Sequence, residues 1–157
     1  MSSPGNLAGS ATAIQGQFTF QSDNPYPTDS ANAALANWIG LSQVTYDGPL
    51  SGIAINHGIF RFVDAANFVG GGTVYCADCT IGGEGGLKGG FVAAYTIQGT
   101  ATTYTGMLTF IDGFKDLRGI TGGGTFEGNC VDSDCTKKGS LGHYDFSYTL
   151  PPPAPSA

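Results

Sequence analysis

Charge is what this sequence has least of: among 157 residues only 6 are Lys or Arg, 12 are Asp or Glu and 2 are His, for a formal net charge of −6. Nucleic-acid binding draws its affinity from basic side chains that neutralise phosphates, and so few scattered cations in an acidic chain exclude that class of partner. No apolar run approaches the roughly 18 residues needed to span a bilayer as a helix. The opening Met1-Ser2-Ser3-Pro4 lacks the basic and apolar regions of a signal peptide, so an exported protein is expected to have lost its signal. Alanine rich enough for helix occurs only from Ser30 to Asn37, two turns at most. Catalytic signatures are missing as well: there is no G-x-S-x-G elbow, no H-E-x-x-H, no P-loop lysine and no G-x-G-x-x-G opening a helix. Gly82-Gly83-Glu84-Gly85-Gly86 and Gly122-Gly123-Gly124 read as turns, because no helix dipole follows them to hold a phosphate.

What is present in excess is glycine, 26 residues, alongside 41% hydrophobic and 11% aromatic content, a balance that belongs to a folded core and not to a low-complexity tail. The length suits one domain able to bury a continuous core without help from metal or disulfides. Ile14, Gly16, Phe18 and Phe20 alternate with Gln15, Gln17, Thr19 and Gln21, the period-two signature of a half-buried strand. Ser22-Asp23-Asn24-Pro25-Tyr26-Pro27 then reads as a loop whose prolines stop the strand. Further strands are expected at Trp38–Tyr46, Ser51–Val63, Gly70–Cys76, Gly90–Gln98, Thr102–Asp112, Thr121–Glu127 and Gly142–Leu150.

Eight strands joined by short glycine-rich turns predict an all-β fold, a closed antiparallel eight-stranded barrel whose interior holds side chains or one small ligand. The division is an N-terminal arm at 1–13, a single barrel domain at 14–150 and a proline-rich tail at 151–157. Pro151-Pro152-Pro153 cannot donate to a ladder and ends the domain. The cysteines form two close pairs, Cys76 with Cys79 and Cys130 with Cys135. Two local disulfides, which point to an extracellular or periplasmic setting, stand beside a four-thiolate zinc site as readings of that spacing.

Candidate site residues follow from polar groups on apolar faces. Ile53, Ile55, His57, Ile59 and Arg61 share one face of their strand. If that face lines the cavity, His57 and Arg61 stand about 13 Å apart along the strand. His57 then serves as general acid or base, Arg61 grips a carboxylate or enolate oxygen, and Ile55 and Ile59 contact substrate. The opposite face, Ala54, Asn56, Gly58, Phe60 and Phe62, is also apolar enough to line a barrel. Tyr104 shares a face with Leu108 and Phe110, and Tyr95 with Phe91 and Ile97, so both hydroxyls are expected inside, where they polarise a carbonyl or simply fill the core. Glu127 faces opposite to Phe126; an inward Glu127 would be desolvated and become the strongest acid/base candidate.

Three patches carry a family resemblance: Gly16-Gln17-Phe18-Thr19-Phe20, Leu117-Arg118-Gly119 with Gly124-Thr125-Phe126, and His143 to Pro151. Together they resemble an uncharacterised bacterial domain family with the allene oxide cyclase-like barrel, and Thr121 to Gly128 also resembles the matching loop and strand of plant allene oxide cyclases. The resemblance implies an eight-stranded barrel with an apolar cavity open at one end, no metal or organic cofactor, and a homo-oligomer, often a trimer. The chain departs from it in its four cysteines and its long first connection, and Gln17 and Gln21 stand in the first strand where the plant enzymes carry a catalytic glutamate. Two functions are compatible with these readings. One is a cofactor-free isomerase or cyclase that folds a small apolar or aromatic substrate in the cavity. The other is a non-catalytic secreted binding or structural module that self-assembles.

Overall fold

The structure is a computed structural model that describes residues 10–27, 37–64, 66–100, 102–131 and 139–152. Eight strands follow one another as β1 (Thr12–Pro27), β2 (Asn37–Asp47), β3 (Leu50–Phe62), β4 (Asn67–Ile81), β5 (Leu87–Thr100), β6 (Thr103–Lys115), β7 (Thr121–Cys130) and β8 (Ser140–Thr149). Each pairs antiparallel with its sequence neighbours, and β8 returns to β1 from Thr12 opposite Tyr148 to Phe20 opposite Ser140, which shuts the barrel. The expected all-β closed barrel is therefore the observed one. Among the described residues no helix is long and apolar enough to cross a membrane. The short helix expected at 30–37 lies outside the described residues except for Asn37, which opens β2.

Two boundaries lie furthest from expectation. β1 does not stop before its prolines but continues to Pro27, with a shift of register between Asp23 and Tyr26. Its pairing with β8 ends at Phe20, so beyond that point one side of β1 needs no ladder donors and proline is tolerated, as at any sheet edge. β4 likewise does not end at Cys76. It runs on to Ile81 through a bulge between Cys76 and Cys79, and these two cysteines are joined across the bulge as a disulfide. Their sulfurs are thereby unavailable to a zinc ion. Cys130 is also disulfide-bonded, while Cys135 lies outside the described residues.

The interior is made by an exchange of ring for hydrogen. Across adjacent strands Gly16 faces Tyr144, Gly142 faces Phe18, Gly128 faces Tyr104, Gly106 faces Phe126 and Gly70 faces Phe60. A Cβ at any of these glycines would collide with the facing ring or its backbone. Eight strands enclose too little space for a large side chain at every inward position, and each of these aromatics lies over a glycine that leaves room for it. The rings then meet in a continuous chain, edge to face for Tyr95 and Tyr104 on Phe126, Phe126 on Phe18 and Phe91 on Phe110, and tilted for Phe18 on Tyr46 and Tyr46 on Phe91.

Candidate functional site

The two ends of the barrel are built differently. At the lower end, where the turns 48–49, 82–86 and 116–120 connect the strands, Leu50, Cys76, Cys79, Ile81, Phe91, Leu117 and Ile120 are fully buried. At the upper end, with the connections 63–66 and 101–102, the inward-facing Phe20, Phe60, Phe68, Ile97 and Phe126 are only partly buried. Beneath them lie the buried polar side chains of Ser42, Asn56 and Ser140 and the phenols of Tyr95 and Tyr104.

Three tyrosines use one device. Each lies across a glycine of the neighbouring strand and delivers its hydroxyl to a point beyond. Tyr144 crosses Gly16, accepts from the Leu50 backbone N–H at 2.8 Å and donates to the Leu50 carbonyl at 3.0 Å. Tyr104 crosses Gly128 and meets the Ser140 hydroxyl at 2.5 Å. Tyr95 stands opposite Gly72 of β4 and reaches Gly58 on β3, where its hydroxyl meets the Asn56 side chain without closing an aligned hydrogen bond. Beside it, Asn56 donates from Nδ2 to the Ser42 hydroxyl at 2.9 Å, while its Oδ1 is also without a partner. Asn56 is 3% exposed and Tyr95 8%, so water does not compensate either atom freely. A buried polar atom left unpaired costs about 1–3 kcal/mol, so Asn56 and Tyr95 are the least well satisfied buried polar side chains among the described residues.

The phenols stay protonated. Burial pushes the Tyr95 hydroxyl well above the ordinary tyrosine range, against the opposing effect of the adjacent Asn56 side chain. Burial likewise pushes Tyr104 up to about 12, opposed by its bond to Ser140, and raises Tyr46, with the neighbouring tyrosines adding to the effect. Inside, these groups act as neutral donors and acceptors.

The sequence-derived candidates divide between the two sides of the wall. Tyr95, Tyr104 and Phe110 face inward and are buried; Phe110 belongs to the lower core, edge-on to Phe91 and Phe146. His57, Arg61, Ile55 and Ile59 lie exposed on the outer surface of β3. The condition under which His57 and Arg61 would face a cavity is thus not met. The lining face of β3 is the opposite one, with Ala54, Asn56 and Gly58 buried, because Tyr95 and Phe60 occupy that space and only small side chains fit beneath them. Glu127 is also outside, in an exposed ion pair with His143 at 2.6 Å. That pair sits in a half-open groove of about 810 Å³ on the outer wall, edged by Thr96, Gln98, Thr105, Met107 and Asp145. Asn56, Ser42 and Ser140 were not singled out by sequence reasoning. The available signal was a lone amide in the run Ala54, Asn56, Gly58, Phe60. Among the described residues no group of three or more His, Cys, Asp or Glu side chains is placed to hold a metal.

Comparison with known proteins shows the fold. No protein-family model matches the chain, and no curated protein matches it. Among solved structures, the chain is similar to a protein of unknown function from the DUF3224 family of Shewanella oneidensis MR-1, with a TM-score of 0.64 and 16% identity over 92% of this chain and 100% of that one. At that identity the likeness concerns the barrel alone.

Proposed function

We propose that the protein is a non-catalytic binding barrel that takes one small, uncharged, largely apolar molecule into the upper half of its interior. The observation that carries this reading is a buried polar pair, Asn56 and Tyr95, whose Oδ1 and Oη meet no partner beyond each other's side chain among the described residues, under a rim of partly buried phenylalanines. Asn56 Oδ1 asks for a donor, and Tyr95 can give or accept a proton bond. An alcohol, a phenol or a primary amide on an apolar or aromatic body answers both. No buried charged side chain occurs among the described residues, so an ionic ligand would enter uncompensated.

The isomerase or cyclase reading, supported by the patches that resemble allene oxide cyclases, would work through the Tyr104–Ser140 couple polarising a carbonyl. It has no evident proton acceptor, since the described side chains of Asp, Glu and His are all exposed. The bonded cysteines favour an extracellular or periplasmic setting.

Titration calorimetry with phenol and with benzoate tests the reading. Phenol is expected to bind and benzoate not to, and Asn56→Leu and Tyr95→Phe are each expected to weaken phenol by about tenfold or more. Equal binding of both probes, or phenol binding untouched by both substitutions, overturns it.

A further inference from the structure

The inner face of β3 and β4 lacks side chains at three neighbouring positions just above Asn56. Gly58 stands opposite Gly72, and Gly70 is the next inward position of β4 toward the upper rim. Two rings rooted elsewhere fill the recess that these glycines leave. The Tyr95 hydroxyl comes over Gly58 from β5, and the edge of the Phe60 ring comes from above, 2.8 Å from where a Cβ on Gly58 would stand and 2.7 Å from one on Gly70. Phe60 is the inward residue of β3 next beyond Gly58, so its ring leans back down the strand over the recess instead of out toward the rim.

The two rings are held differently. Tyr95 is 8% exposed and lies edge-on to Phe126 at 6.1 Å, within the chain of core rings. Phe60 is only partly buried. Its ring meets Phe68 edge-on at 6.3 Å, and Phe68 in turn meets Phe62 at 6.1 Å. The backbone that carries these three is tied at its turn, where the Val63 N–H donates to the Asn67 carbonyl at 2.9 Å and the Asp64 carboxylate accepts from the N–H groups of Ala66 at 2.8 Å and Asn67 at 2.9 Å. What can move is therefore the Phe60 side chain, which carries no polar atom to anchor it, so a change of rotamer gives up packing contacts alone.

We infer that Phe60 is the gate of the binding half: its ring occupies the seat that a ligand takes over Gly58 and Gly70, and a ligand reaches Asn56 and Tyr95 by swinging that ring toward the rim. This rests on the binding reading above and adds a size limit to it. The seat that Phe60 vacates is that of one phenyl ring. A fused pair of rings would have to push Tyr95 or the backbone of the glycine strands aside, and overfilling a packed site is costly.

Nitration of the full chain by tetranitromethane, mapped by peptide mass spectrometry, tests the gate without a ligand. Tyr95 is expected to react about tenfold faster or more in Phe60→Ala than in the wild type, while Tyr144, sealed at the lower end, stays unreactive in both. Phe68→Ala, which removes the ring that backs Phe60, should move Tyr95 in the same direction. It also reports in place of Phe60→Ala if that variant fails to fold, which a reactive Tyr144 would reveal. Calorimetry tests the size limit: the wild type should bind phenol and not 2-naphthol, and Phe60→Ala should bind both. Tyr95 reactivity indifferent to both substitutions overturns the inference, as does a wild type that binds 2-naphthol as tightly as phenol. Tyr95 uncovered by the substitutions in a protein that binds neither probe in any form bears out the cover and overturns the binding reading instead.

Discussion

Tyr144 at the lower end of the barrel and Tyr95 toward the upper end make the same move over a neighbouring glycine, and only one of them arrives at a partner. Tyr144 closes two hydrogen bonds on Leu50 and is sealed among fully buried neighbours. Tyr95 arrives beside an amide oxygen equally unprovided for. The lower half is sealed and fully bonded, and the upper half leaves buried polar atoms less well satisfied. Natural proteins carry such local costs where they function.

The most severe way to break both halves together is alkali. Folding raises the pKa of Tyr46, Tyr95, Tyr104 and Tyr144, burial being the first cause in each. The native state therefore keeps these protons after the unfolded chain, whose tyrosines titrate near 10, has lost them. Stability is unaffected below about pH 10 and falls between there and about pH 12, by about 1.4 kcal/mol per pH unit for each of Tyr46, Tyr95 and Tyr104, with Tyr144 adding in the same direction. The tyrosinate absorbance of these four should rise in one cooperative step coincident with loss of native circular dichroism. Ionisation of all four in a protein that stays folded would contradict the dry interior.

Phe91→Ala probes the lower half alone. It empties a fully buried site between Tyr46 and Phe110 and should cost about 3–5 kcal/mol in urea unfolding. The comparison itself is sharpest in the smallest change. Tyr144→Phe removes one oxygen and strands the Leu50 N–H, for about 1–3 kcal/mol. Tyr95→Phe removes the same atom from a place where it meets only the Asn56 side chain without an aligned hydrogen bond, and should leave stability within about 0.5 kcal/mol. Equal losses in the two variants would mean that the two ends are not distinct.

The barrel was legible because alternation and short glycine turns are properties of neighbouring residues. Even the closing strand pair could be anticipated from Gly16-Gln17-Phe18-Thr19-Phe20 and His143 to Leu150. The site was legible only in part. Tyr95 and Tyr104 reveal their direction through the apolar company they keep along their strands. β3 does not, since Ile53, Ile55 and Ile59 on one face and Ala54, Gly58 and Phe60 on the other are both apolar. What decides between them is the bulk arriving from β5, a fact of register between strands some forty residues apart in the chain. Asn56 was hidden for the same reason: its meaning depends on a tyrosine that alternation along β3 cannot show. The prolines of β1 misled because their tolerance depends on where β8 stops.

The join of β8 to β1 has a consequence for how this wall can be rebuilt. With Thr12 beside Tyr148, the first strand begins next to where the last one finishes, so a short linker can connect them and the chain can be opened instead at the glycine turn 82–86. Such a circular permutant would keep every ladder, which makes the starting strand of this cylinder a matter of gene order and frees the upper rim to be grafted from either direction.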